Sequence, residues 1–187
     1  HVGVNDDTNG NAVFQGSLAA TTINLESGNH NSEDSILTVA TTTTATTLNI
    51  TGTTGGETAD ATFTGTGNIV APTINITAGT AADADGILIA KGDVTATTLF
   101  KLIDSTGNGD SLITLSGTGD QTITGAITAS VAGSGNITNS NTGGTVTFAN
   151  AIGTTLLETG TITTAASTKT VFQGAIDTGK MTLDGEV

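Results

Sequence analysis

The segment Ala45-Thr46-Thr47-Leu48-Asn49-Ile50 has three relatives in the same chain: Ala20-Thr21-Thr22-Ile23-Asn24-Leu25, Ala71-Pro72-Thr73-Ile74-Asn75-Ile76 and Ala96-Thr97-Thr98-Leu99. Their alanines stand 25, 26 and 25 residues apart (20 to 45, 45 to 71, 71 to 96). A fixed step of that size signals stacked structural repeats, each too small to bury an apolar face alone. Within a copy, Leu48-Asn49-Ile50 alternates apolar, polar, apolar, which is the period of a strand. The fourth copy continues as Phe100-Lys101-Leu102-Ile103 and breaks that alternation. The break predicts a one-residue insertion or bulge.

The same step aligns other positions. Ala12, Leu37, Phe63 and Leu88 each lie eight residues before the repeated alanine. Gly16, Thr41, Gly67 and Gly92 lie four before it, at a turn-prone place. Asn9, Asp34, Asp60 and Asp85 lie eleven before it, and Asp110 follows Asp85 by 25. Each repeat therefore reads as polar turn, strand, Gly-marked bend, strand. If successive repeats sit one strand spacing apart, about 4.8 Å, these positions form columns. Ile23/Leu48/Ile74/Leu99 and Ala12/Leu37/Phe63/Leu88 are the expected inward stacks. Asn24/Asn49/Asn75 is the expected outward ladder of shared amide hydrogen bonds.

The regular repeats run over about 9–115, and 116–187 is less regular. Strand candidates there are 112–115, 122–127, 136–138, 145–148, 154–157 and 170–172. Val171-Phe172-Gln173-Gly174 repeats Val13-Phe14-Gln15-Gly16, and Met181-Thr182-Leu183 follows as Ile23-Asn24-Leu25 does. One kind of unit is thus expected over 1–187 as a single domain. The expected fold is all-β, a single parallel β-helix (β-solenoid) of about seven coils, from chain length over period. An antiparallel sandwich also uses short strands and Gly turns, but it gives no reason for a constant register.

Composition bounds the function. There are 17 acidic residues against four lysines and no arginine, for a net charge of -13. That opposes nucleic acid, which is held by Lys and Arg on phosphates, and anionic membrane surfaces. No run of about 18 apolar residues is present to span a bilayer. Cysteine, Trp and Tyr are absent. Threonine makes up roughly a quarter of the chain, well above ordinary usage. The chain opens at His1, which fits a processed product or a piece of a longer solenoid.

Repetitive Thr-, Gly- and Asn-rich sequence without Cys, as in Ala45–Ile50, resembles bacterial cell-surface and secreted β-solenoid proteins. These include autotransporter passengers, filamentous adhesins and surface-layer subunits. The resemblance is one of style across the whole chain. It implies a secreted or cell-surface structural or adhesive role and assigns no functional residue.

The candidate metal site is the acidic column Asp34, Asp60, Asp85 and Asp110, with Glu33 and Asp83 beside it. Like charges one coil apart repel by about 1 kcal/mol in water. A Ca²⁺ between coils would reverse that sign, since it takes several carboxylate and carbonyl oxygens. The plainer reading is that Asp and Asn occupy turns because their side chains bond local backbone. The Thr22/Thr47/Thr73/Thr98 column raises ice binding, against the simple β-propensity of Thr. No catalytic residue stands out. His1 is terminal, His30 lies in the polar loop Ser27–Ser32, and no nucleophile–base pair is visible.

An amphipathic helix or charged cap is missing beyond either Val-Phe-Gln-Gly copy, so the chain is expected to be either a piece of a longer solenoid or a subunit whose end edges are capped by the next copy. The expected function is therefore a non-enzymatic extracellular subunit that self-associates end to end into a homopolymer, stiffened by calcium. The alternatives are an adhesive module for carbohydrate or a cell surface and, further off, a polysaccharide-active enzyme.

Overall fold

A computed structural model of the chain describes residues 10–27, 34–52, 60–80, 84–104, 109–130, 132–154, 159–165, 168–184 and 186–187. Every pairing between its strands is parallel, and no helix occurs among the described residues. The fold is the expected β-solenoid. Each coil winds past three faces. Face 1 is an eight-stranded sheet of β1 (Gly10–Phe14), β3 (Ser35–Val39), β5 (Ala61–Gly65), β8 (Gly86–Ala90), β11 (Ser111–Leu115), β14 (Asn136–Asn139), β16 (Thr159–Thr164) and β18 (Thr178–Leu183), in that order.

The other sheet forks at a long strand. β2 (Leu18–Glu26) and β4 (Thr43–Thr51) bend across a corner and so serve two faces. Beyond β4, face 2 continues through β6 (Ile69–Val70), β9 (Val94–Thr95), β12 (Gln121–Thr124), β15 (Thr145–Phe148) and β17 (Lys169–Phe172). Face 3 continues through β7 (Thr73–Thr77), β10 (Leu99–Ile103) and β13 (Ile127–Ala129). After β13, face 3 shrinks to single bridges at Ile152 and Ile176. The expectation of about seven coils is corrected accordingly. Five coils carry strands on all three faces, and the later ones are partial.

The step between coils is 25 residues at Gly10↔Ser35 and 26 at Ser35↔Ala61, as the sequence period requires. The inward columns meet as expected: Ala12/Leu37/Phe63/Leu88 on face 1 and Ile23/Leu48/Ile74 on face 3. From coil 2 onward these side chains are buried. Each inward Leu, Ile or Phe contributes about 2 kcal/mol of apolar burial.

One column differs. Ile74 pairs with Phe100 and not Leu99, while Leu99 pairs with Thr73. The cause is the expected bulge: the N–H groups of Thr98 and Leu99 both donate to the carbonyl of Pro72, at 2.9 and 3.0 Å. One extra residue turns Phe100 inward, where it is fully buried. Leu99 consequently takes the fourth place in the threonine column that Thr98 was expected to fill.

The second half is irregular because residues move between corners. Three residues (91–93) separate Ala90 from Val94, but seven (116–122) separate their partners Leu115 and Ile123. Five residues (95–99) separate Val94 from Phe100, but three (124–126) separate Ile123 from Ile127. Twelve (101–112) lie between Phe100 and Ile113, against nine (128–136) between Ile127 and Ile137. The circumference is nearly conserved because each layer must hydrogen-bond the next over its whole path. The last step is shorter: Thr159 pairs with Thr178, 19 residues on, and β18 follows face 3 with only Asp177 between it and Ile176.

This shift corrects the terminal motif match. Val13-Phe14 lies on face 1, whereas Val171-Phe172 lies on face 2, paired with Thr147 and Phe148. Met181-Thr182-Leu183 lies on face 1 and Ile23-Asn24-Leu25 on face 3. An apolar strand followed by a glycine bend suits any of the three faces, so sequence likeness alone could not assign one. Of the strand candidates, 145–148 is reproduced, and 112–115, 136–138 and 170–172 each fall one residue short. The candidate 122–127 is divided between β12 and β13. Residues 155–157 of the candidate 154–157 lie outside the described residues.

Candidate functional site: the aspartate edge and its neighbours

Asp34, Asp60, Asp85 and Asp110 each stand immediately before a face 1 strand, so the topology stacks them along one edge. They are joined in sequence. The backbone N–H of Asp60 donates to Asp34 Oδ1 at 3.0 Å, that of Asp85 to Asp60 Oδ1 at 2.8 Å, and that of Asp110 to Asp85 Oδ1 at 2.7 Å. Beyond Asp110 the thread continues through Asn136. Its Nδ2 donates to Asp110 Oδ2 at 3.2 Å, and its Oδ1 accepts the Thr161 N–H at 2.9 Å. Each carboxylate thus ties its own coil to the next by a charge-assisted bond. The role visible in these contacts is coil-to-coil adhesion.

As a cation edge, the row presents carboxylates one per coil. Ca²⁺ takes six to eight oxygens in a cage. Among the described residues, no three Asp, Glu or His side chains converge on one point. Glu33 and Asp83, and with them Asn9, Glu57 and both histidines, lie outside the described residues.

The amide ladder forms as expected. Asn49 Nδ2 donates to Asn24 Oδ1 at 2.7 Å, and Asn75 Nδ2 donates to Asn49 Oδ1 at 2.9 Å. The column then passes to Lys101 and Thr128, where side-chain chemistry ends the repeat.

Three polar features escaped the sequence reading. The first is a second edge at the face 1–face 2 corner. Asn68 Oδ1 accepts the Asp93 N–H, Asp93 Oδ1 the Thr122 N–H, and Asp120 Oδ1 the Thr145 N–H, at 3.1, 2.8 and 2.8 Å. The second is Asp104. It accepts Ser111 N–H and Ser111 Oγ–H on Oδ1, at 2.9 and 2.5 Å, and Gly135 N–H on Oδ2 at 2.8 Å. It thereby clamps two neighbouring coils.

The third is a network inside the widened corner. Gln121 is buried, accepts the Gly117 N–H, and donates to the carbonyls of Ala90 and Gly92. Buried Asn141 donates to Gln121 Oε1 at 2.7 Å, and its Oδ1 accepts Gly143 and Gly144 N–H. Asn139 Nδ2 reaches Thr170 Oγ1 at 2.8 Å. Buried amides are tolerated here because they satisfy the turn backbones that the longer corner carries inside.

Above that network lies a groove of about 380 Å³, lined by Thr142–Thr145, Thr168, Lys169 and Glu186. Lys169 Nζ lies 3.9 Å from Glu186 Oε1, both well exposed, a pairing that adds little to stability.

No family model matches the chain, and neither a curated protein nor a solved structure matches it.

Proposed function

We propose that this protein is a non-enzymatic, extracellular structural solenoid that assembles end to end. The observation that carries the reading is the relation of its two end coils. Phe14 and Leu183 belong to the same inward column of face 1, yet they are 36% and 43% exposed. Every described member between them is buried. β1 and β18 are the outer strands of the eight-stranded order, each paired on one side among the described strands. A second copy stacked in the same sense would extend both the hydrogen-bond ladder and the apolar column. Such a head-to-tail contact does not close and gives a filament.

The extracellular setting rests on the compositional resemblance. Calcium along the Asp34–Asp110 edge belongs to the same reading as a stiffening ion, and carbohydrate or cell-surface adhesion is the competing role. Light scattering and negative-stain microscopy, with and without chelator, test the proposal. Wild-type protein is expected to form filaments, and Phe14→Lys or Leu183→Lys to abolish them. A strict monomer at high concentration with added Ca²⁺ overturns it.

A further inference from the structure

The two ends of the stack carry the same segment on different faces. Val13-Phe14-Gln15-Gly16 closes β1 on face 1, and Val171-Phe172-Gln173-Gly174 closes β17 on face 2. The match continues beyond the glycine. Leu18, Ile23 and Leu25 follow Phe14 by 4, 9 and 11 residues, and Ile176, Met181 and Leu183 follow Phe172 by the same steps. In the first coil this path runs from face 1 to face 2 to face 3. In the last it runs from face 2 to face 3 to face 1. The end coils are the same coil turned by one face.

Two registers satisfy end-to-end stacking: a straight one, with β1 on β18, and one turned by a face, with β1 on β17. We infer that the turned register is the one used, so that Val13-Phe14-Gln15-Gly16 of one copy lies on Val171-Phe172-Gln173-Gly174 of the next. This rests on the end-to-end reading and fixes its geometry. Each inward residue then meets its counterpart: Phe14 on Phe172, Leu18 on Ile176, Ile23 and Leu25 on Met181 and Leu183. Phe172 already stacks on Phe148, with ring centroids 5.3 Å apart and planes 8° from parallel, so Phe14 extends an aromatic stack. Gln15 on Gln173, both exposed, repeats the amide ladder that Asn24, Asn49 and Asn75 form within the chain. Exposed Phe14, Ile176 and Leu183 are covered together. Ile23 and Leu25 are buried already, so the area gained on that face comes from Met181 and Leu183. The straight register instead sets Leu18 two coil heights above Phe172. Among the described residues only Glu186 and Val187 reach into that space. Both sides of such a gap lose packing contacts.

The backbone is in phase for the turned register. Gly10 and Phe14 bond toward β3, so alternation points the N–H and C=O of Asn11 and Val13 to the open edge. On β17 the open edge belongs to Thr168 and Thr170. The Glu186 N–H donates to the Thr168 carbonyl and its own carbonyl accepts the Thr170 N–H, both at 2.8 Å. Glu186 therefore holds the place over Lys169 that Asn11 takes on assembly, and Asn11 offers the same two bonds. The Lys169–Glu186 ion pair, 3.9 Å long between exposed side chains, is a weak latch. The same register sets Glu26 level with Asp184, both exposed, a repulsion that salt screens.

Disulfide cross-linking reads the register, because the chain has no cysteine of its own. Val13 stands over Val171 in the turned register and over Thr182 in the straight one. Residues paired across neighbouring strands lie within disulfide reach, and within one copy these positions are at opposite ends of the stack. Val13→Cys/Val171→Cys is expected to give a ladder of covalent multimers on oxidation and Val13→Cys/Thr182→Cys none, with circular dichroism showing both folded. Phe172→Lys is expected to weaken association about tenfold or more, since the new charge must be desolvated against Phe14. Glu186→Pro, which removes the latching N–H, is expected to strengthen it. A ladder from the Val13→Cys/Thr182→Cys chain overturns the turned register and leaves end-to-end assembly standing. So do filaments without a ladder from Val13→Cys/Val171→Cys, and association indifferent to Phe172→Lys. Neither ladder nor filament overturns both readings. Association weakened by Glu186→Pro overturns the latch.

Discussion

The carboxylate of Asp85 accepts the backbone N–H of Asp110 at 2.7 Å, across the boundary between two coils. Two acidic residues are therefore neighbours along an edge where their charges repel, and hydrogen bonding holds them there. Bond and repulsion separate on substitution. Asp85→Asn keeps an acceptor oxygen and removes the charge, so its urea midpoint should equal or exceed that of the wild type at low salt. The difference should shrink as salt screens the edge. Asp85→Ala loses the bond as well as the charge, so it should fall about 1–2 kcal/mol below Asp85→Asn at any ionic strength. A destabilised Asp85→Asn at low salt would contradict this account of the edge.

The amide ladder makes position matter. Asn49 takes part in two side-chain bonds, whereas Asn24 takes part in one. Asn49→Ala should cost roughly twice as much as Asn24→Ala, about 1–2 kcal/mol against about half that. Equal losses in chemical denaturation would show that the ladder does not act as a series.

Glycine in the bend column answers to the coil beneath it. A Cβ on Gly67 would approach the carbonyl carbon and oxygen of Thr41 to 2.6 Å, while one on Gly16 meets nothing within 4 Å. Gly67→Ala should therefore destabilise by about 1–3 kcal/mol through forced backbone shifts. Gly16→Ala should be neutral or stabilising by about 0.5 kcal/mol, through a less flexible unfolded chain. Thermal melts of the two variants side by side decide the point.

The buried network predicts an asymmetric response in the second half. Removing Asn141 strands the Gly143 and Gly144 N–H groups and takes one partner from Gln121. Asn141→Leu should cost about 3 kcal/mol or more despite adding apolar surface, because buried donors are left unpaired. Hydrogen exchange should quicken first in coils 5 to 7 and leave coils 2 to 4 protected. Uniform quickening along the stack would mean that the coils open as one unit.

Most of the architecture was legible because a solenoid translates sequence period directly into space. Residues 25 apart become neighbours, so columns such as Asn24/Asn49/Asn75 are readable without coordinates. The bulge at Thr98–Leu99 was legible for the same reason, as a break in alternation. Which residue it turned inward was not: Leu99 and Phe100 are both apolar, and only the shared carbonyl of Pro72 chooses Phe100. Of the candidate site, the row Asp34, Asp60, Asp85 and Asp110 was readable as a column, but its bonding was not. A carboxylate near a neighbouring carboxylate suggests a cation, and the backbone N–H that it accepts is invisible in sequence.

The chain's own order of residues determined the fold class, the coil height and the stacking of Asp, Asn and Gly, because each depends only on a repeat count. The three-dimensional path decided the rest. It set where four residues were gained at one corner, and hence that Val171-Phe172 sits one face away from Val13-Phe14. It turned Gln121 and Asn141 inward and left Ile87, Ile89 and Leu112 outward. These depend on which side of the sheet each residue meets, and a single-residue bulge or a longer corner reverses that side without altering the period.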